Sequence, residues 1–300
     1  MAKEGFFMEE KQRDLLFKLA VCNGIGNLGM LKVLDFSMKY NNSADFSKEE
    51  IIQIAGITTY QKLFSESWNQ WSNNSEQLKK YQSAHTFITI LDPIYPHCLK
   101  QIYNCPVLLF YKGNLKLLEK KSLAFVGARS ASVYGINIAR QLIPEMISND
   151  LTIISGLAKG IDSISHQVAM EHGGNTIGVI GTGLDICYPK ETAHIQRKMQ
   201  EEHLVISEYP NGTGPRKYHF PMRNRIIAGM SLGTCVIEAR KKSGSLITAQ
   251  AALEYGREVF AVPGNLLNSQ SDGCHGLIQE GAKCTTCPQD ILEEIQFFSI

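Results

Sequence analysis

The stretch LAFVGARSASVYG, residues 123–135, followed by LTIISGLAKGIDSISHQVAMEHGGNTIGVIG, residues 151–181, decides the fold class. A short apolar run ends in glycine, a helical segment follows, and the next apolar run begins. Working outward, HLVISEY (203–209), TCVIEA (234–239) and EVFAVPG (258–264) continue the alternation. Apolar runs of this kind, separated by helices, predict a mostly parallel, doubly wound α/β sheet of the extended Rossmann-like type. Strands covered on both faces read as continuously apolar rather than alternating. Right-handed crossovers place every strand's carboxyl end along one edge, and open α/β sheets bind their ligands at that edge.

Upstream the pattern changes. Apolar residues recur at helical spacing in DLLFKLAVCNGIG, LGMLKVLDFSMKY and KEEIIQIAGI, so residues 1–84 are expected to form a small helical domain. Ser47 with Glu50 three residues on fits a capping box opening the third helix. Gly24, Ile25 and Gly26 mark a tight joint between two helices, read here as a corner of the bundle. SNNSEQLKKYQSAHT is polar and reads as a helix tail with a connector. FITIL and VLLFYKG are short β-rich runs within residues 85–121, expected to add an edge to the α/β domain of residues 85–300.

Composition narrows the function. Lys and Arg number 30 and Asp and Glu 29, a net charge of +1, which argues against a wholly basic coat protein but leaves room for a local basic patch. No segment approaches the roughly 18 apolar residues of a membrane span, and the N-terminus has no apolar signal core. A cytoplasmic protein is expected. The eight cysteines are scattered; Cys187 and Cys235 sit in apolar runs, and the lone C-x-x-C of Cys284 and Cys287 lacks the further ligands zinc needs. No metal and no cofactor are expected.

The strand ends carry Gly127-Ala128-Arg129-Ser130, Ser155-Gly156-Leu157-Ala158-Lys159-Gly160, Gly181-Thr182-Gly183 and Ser243-Gly244-Ser245. Such turns open helices and present backbone N–H groups to an anion. A dinucleotide cofactor does not fit: Arg129 replaces the second glycine of G-x-G-x-x-G, and Ser155 ends the second strand where an acidic residue belongs. The P-loop pattern is absent. Asp162, His166, Glu208 and Glu238 form no recognisable hydrolase arrangement and read as structural, so no catalytic residue is assigned.

YPNGTGPRKYHFPMRNRIIAGMSLGTCVI, residues 209–237, contains no Asp or Glu. Its Arg216, Lys217, Arg223 and Arg225, interleaved with Tyr218, His219 and Phe220, combine charge for phosphates with flat faces for bases, as single-stranded nucleic acid requires. The alternative is pairing with acids elsewhere, Glu208 and Glu238 among them. Arg223 and Arg225 are expected just before or at the start of the helix NRIIAGM. Losing them, or Arg129, is expected to weaken strand binding with the fold intact.

These segments together name a family. VGARSASVYG, IISGLAKGIDSISHQVAMEHGGNTIGVIGTGLDICYPKE, VISEYPNGTGPRKYHFPMRNRIIAGMS, VIEARKKSGSLITAQAALEYGREVFAVPGN and GCHGLIQEGAK resemble the DNA-processing protein A (Smf) family from Leu123 to Lys283. The resemblance implies a sterile-alpha-motif-like N-terminal domain, single-stranded DNA binding without catalysis, and loading of the RecA recombinase during natural transformation, with other competence proteins as further partners. It places DNA contacts at Arg129, Lys190, Lys217, Arg223 and Arg225, and walls at Gly127, Ser155, Gly156, Ser243, Gly244 and Ser245. It places a homodimer contact around His275, Ile278 and Cys284, near the helix of residues 246–256, with RecA contact nearby. Two departures stand out. Ala128 replaces the usual serine or threonine, and the chain stops near Ile300 without the winged helix of many members, so duplex binding by that module is not expected. A nucleotide-processing enzyme similar to the phosphoribohydrolases is the rival from another class, but its P-G-G-x-G-T-x-x-E motif is missing and SGSLITAQ stands nearest. A pure protein adaptor is the third reading.

Overall fold

The computed structural model describes residues 2–40 and 44–296. They fall into two compact units, one formed by the chain up to Tyr95 with Tyr103–Phe110, the other by Pro96–Ile102 with the chain from Tyr111 onward.

The first unit holds α1 (Ala2–Val21), α2 (Asn27–Lys39), α3 (Lys48–Ala55), α4 (Gln61–Asn73) and α5 (Ser75–Ser83). Leu16, Phe17, Leu19, Val33, Ile51 and Phe64 are its buried centre. The capping box closes α3 in both directions: Glu50 N–H donates to Ser47 Oγ at 3.3 Å, and Ser47 N–H donates to Glu50 Oε2 at 2.8 Å. Gly24 takes φ +89°, and a Cβ there would stand 2.7 Å from the Phe64 nitrogen. The polar stretch read as a helix tail with a connector holds the end of α4 and then, in place of a connector, α5. Its one packed ring, Tyr81, lies against Phe17, Trp71 and His85. A single anchor per two turns leaves too little periodicity for a helix to be seen in the sequence. β1 (Phe87–Thr89) pairs antiparallel with β2 (Leu108–Gly113), Phe87 opposite Phe110.

The second unit takes over at the end of β2, where the Asn114 N–H donates to His203 O at 2.6 Å. After α6 (His97–Lys100), its elements are β3 (Ser122–Val126), α7 (Val133–Ser148), β4 (Thr152–Ser155), α8 (Ile161–Glu171), β5 (Thr176–Ile180), α9 (Ala193–Glu202) and β6 (Leu204–Ser207). They continue with α10 (His219–Met230), β7 (Gly233–Val236), α11 (Gly244–Glu254), β8 (Glu258–Ala261), α12 (Asp272–Gln279), β9 (Lys283–Cys284) and α13 (Gln289–Gln296). All six apolar runs read from the sequence are strands, in the order β6-β5-β4-β3-β7-β8 with β9 beyond, each neighbouring pair parallel. β9 was not foreseen, because two residues of strand carry no periodicity.

Both sheet faces are covered, which is why the strands read as unbroken apolar runs. Leu123, Phe125, Ile153, Cys235 and Phe260 form one core with α7, α8 and α13. α10 and α11 pack on each other and on β3, β5, β7 and β8. Sequence order reverses at β3, flanked by β4 on one side and β7 on the other. The carboxyl ends of β3 and β7 therefore flank a topological switch point, where crevices form in sheets of this kind.

None of the eight cysteines, all among the described residues, forms a disulfide, and no described helix is long and apolar enough to cross a membrane. No cluster of three or more metal-ligating side chains occurs among the described residues.

Candidate nucleic-acid interface

A cleft opens at the switch point in two adjoining lobes. The larger, about 830 Å³, runs from the β3–α7 loop (Gly127, Ala128, Arg129, Ser130) past Lys217, Phe220 and Arg223 to Arg240, Lys242, Ser243, Gly244 and Ser245. The smaller, about 570 Å³, is walled by Gly156, Lys159, Gly181, Thr182, Lys190 and Glu191. Arg129, Ala158, Tyr188, Phe220 and Arg223 belong to both.

Each wall has a local cause. The β3–α7 loop is held by Glu238, two residues past β7. Its carboxylate accepts the Ser132 N–H at 2.9 Å and the Ser132 hydroxyl at 2.5 Å, while Ser132 Oγ caps the Gly135 N–H. At the start of α8, Gly160 takes φ +74° and lets its chain pass the Ala128 carbonyl, which a Cβ would meet at 2.2 Å. Across the cleft, Ser243 is the N-cap of α11 and accepts from the Ser245 N–H.

Exposed cations rim this cleft. Arg129, Lys190, Lys217, Arg240 and Lys242 are all exposed, and none of them makes an ion pair among the described residues. The Arg129 guanidinium lies 5.9 Å from the centroid of the Phe220 ring, close enough for a cation–π contact. Lys159, by contrast, is held by Glu191 at 2.5 Å. Arg240 and Lys242 were missed in the sequence. The available signal was the run RKKSGS directly after a strand, the same strand-end position that Arg129 occupies.

The two arginines of FPMRNRIIAG behave otherwise. α10 begins at His219, not at Asn224, because Pro221 in the first turn needs no N–H partner and favours helix entry. Both arginines are thus inside the helix and buried, each only 6% exposed. Arg225 forms a buried ion pair with Glu208 and lines neither lobe. Of the two readings of this cluster, phosphate contact or pairing with an acid elsewhere, the structure shows pairing for Arg225: Glu208, directly after β6, supplies its counter-charge. Burial raises the Glu208 pKa above the ordinary carboxylate value, and Arg225 opposes the rise.

Arg223 forms part of the cleft wall, donating from Nη1 to the Val179 carbonyl at 2.9 Å. Its Nε finds no partner among the described residues. Burial lowers its pKa and raises that of Asp162; the attraction between the two opposes both shifts. Gly156 exists for this side chain, since a Cβ would lie 1.6 Å from Arg223 Nη1. Ser155 is fully buried, donates to the Phe125 carbonyl at 2.6 Å and does not reach the cleft.

The acids and histidine set aside in the sequence are bound into the structure. Asp162 faces Arg223, Glu208 holds Arg225, and Glu238 holds the β3–α7 loop. His166 is fully buried with Nδ1 2.6 Å from Thr176 Oγ1. The Thr176 hydroxyl donates to the Ile153 carbonyl, so His166 Nδ1 carries the proton and Nε2 stays bare. Burial pushes its pKa down to about 3. His275 in α12 sits 3.1 Å from the Gly264 carbonyl, Ile278 is half-buried one turn later, and Cys284 is exposed on the edge strand β9.

A cation-rimmed cleft at the switch point of a parallel sheet defines a Rossmann-like anion-binding protein. The chain belongs to the DNA recombination-mediator protein A family, which matches residues 86–296. It is 46% identical over 275 residues to the DNA processing protein DprA of Streptococcus pneumoniae, covering 92% of this chain and 95% of that one. It is 46% identical over 209 residues to DprA of Bacillus subtilis, covering 69% and 70% respectively. The crystal structure of the Streptococcus pneumoniae protein superposes with a TM-score of 0.86 at 44% identity, over 95% of this chain and 97% of that one. A structure of DNA processing protein A from Helicobacter pylori, described for its single-stranded DNA binding mode, matches with a TM-score of 0.64 at 27% identity, over 71% and 97%.

Proposed function

We propose that this chain is a recombination mediator that binds single-stranded DNA in the two-lobed cleft and passes it to a RecA recombinase during natural transformation. It acts by binding, in the cytoplasm, without catalysis or a bound cofactor. The observation that carries the reading is the set of exposed cations, Arg129, Lys190, Lys217, Arg240 and Lys242, without ion pairs among the described residues, around a cleft with aromatic rings in its wall. Charge tracks a phosphate backbone and aromatic faces accept bases of any sequence. Arg223, Gly127, Gly156 and Ser243–Ser245 form the walls between them, while Arg225 and Ser155 support from behind. Pairing of two copies through α12 and the β9 edge, around His275, Ile278 and Cys284, is part of the same proposal. So are a sterile-alpha-motif role for α1–α5 and contact with other competence proteins.

Titration of labelled oligothymidine tests the reading. With four cations on phosphates, log K falls against log[salt] with a slope of about −3, roughly a 50-fold loss between 50 and 200 mM salt. Salt-insensitive binding, or equal binding of thymidine monophosphate as expected of a nucleotide-processing enzyme, contradicts it.

A further inference from the structure

Two aromatic pairs, one stacked and one tilted, differ in what they leave open. Tyr209 and His219 stack at 3.8 Å and 21°, and His219 is 2% exposed, so that stack serves the interior. Tyr188 and Phe220 stand 5.8 Å apart and tilted by 37°. Tyr188 is 46% exposed, on the segment between β5 and α9. Both rings belong to both lobes, as does Arg129, whose guanidinium approaches the Phe220 face.

The geometry points to a base-stacking wedge: we propose that Tyr188 and Phe220 divide a bound strand, with one base in each lobe and the phosphate between them on Arg129. The inference rests on the proposed single-strand binding and specifies its smallest unit, a dinucleotide. Each lobe, at about 830 and 570 Å³, falls within the range of roughly 300–1,000 Å³ typical of ligand pockets. A large ring left open beside unpaired cations is suited to a partner that is flat on its faces and anionic at its edge. Because every base has a π-face, such a wedge takes all four bases and adds affinity without sequence preference. The sequence reading assigned phosphate contacts around this cleft and gave Tyr188 no role.

The test separates stacking from charge. Tyr188→Ala is expected to lower oligothymidine affinity by about tenfold, within the range measured for removal of one base-stacking ring. The salt slope should stay as in the wild type, because no cation is lost. Tyr188→Phe should bind as the wild type does. A fully abasic oligonucleotide should bind wild type and Tyr188→Ala alike, and a thymidine dinucleotide should compete where the mononucleotide does not. Wild-type affinity for oligothymidine in Tyr188→Ala, or a loss accompanied by a shallower slope, overturns the wedge while leaving the binding function standing. Absence of salt-sensitive oligothymidine binding by the wild type overturns both.

Discussion

The basic residues around the cleft divide into an inner and an outer set, and the outer set is the one exposed to solvent. Arg223 and Arg225 on α10 are 6% exposed and answered from within, Arg225 by Glu208 and Arg223 by the Val179 carbonyl and Asp162. Arg129, Lys190, Lys217, Arg240 and Lys242 stand on the segments that follow β3, β5, β6 and β7, exposed and without ion pairs among the described residues. Arg223 forms part of the cleft wall and Arg225 lines neither lobe, whereas the outer cations line the cleft from exposed positions. A guanidinium earns its place in a core only by pairing, since an unpaired buried charge is far costlier than an exposed one.

The sharpest way to break this division is to remove an inner arginine. Arg225→Ala leaves Glu208 buried without its partner and should cost about 3–5 kcal/mol of stability, read as a shift in the urea midpoint. The pH dependence has a defined sign. Burial already raises the Glu208 pKa, and losing Arg225 raises it further. The folded variant therefore holds a proton that the unfolded chain releases, so its deficit shrinks as pH falls and grows as pH rises through that pKa. A variant that unfolds as the wild type does but loses DNA affinity would move Arg225 to the outer set.

A smaller effect comes from His166, the neutral member of the inner set. Its pKa of about 3 lies below the ordinary 6.5, so the unfolded chain takes up a proton there that the folded one refuses. Stability from this residue is complete above pH 6.5 and is lost as pH falls from there toward 3. Between pH 7 and pH 5.5 the loss is on the order of 1 kcal/mol. His166→Gln should be less stable at pH 7 and should flatten that part of the pH profile; an unchanged profile would show that His166 is not the group responsible.

The fold was legible because parallel strands covered on both faces must be apolar along their length, and LAFVGA through EVFAVPG are. β9 and α5 were not, one for shortness and the other for having a single packed ring. The rim at Arg129 and Ser243–Ser245 could be read because strand ends in such sheets converge on one edge. The role of Arg225 could not. Its counter-charge lies 17 positions earlier in the chain, directly after another strand, and composition within 209–237 cannot register a partner outside that window. Glu208 was noted as a possible partner, but nothing local ranked pairing above phosphate binding. Arg240 and Lys242 were not legible because the deciding property is accessibility, which residue type and clustering do not show.

The most direct measurement is the salt dependence of oligothymidine binding by a variant of the outer set, Arg129→Ala with Lys217→Ala and Lys242→Ala, beside the wild type. Each phosphate contact on a single strand contributes about −0.7 to the slope of log K against log[salt], so the triple variant should be shallower by about 2 with its unfolding midpoint unchanged. A slope equal to that of the wild type would mean that phosphates lie elsewhere, and that the exposed cations of this cleft are solvated residues with no strand to bind.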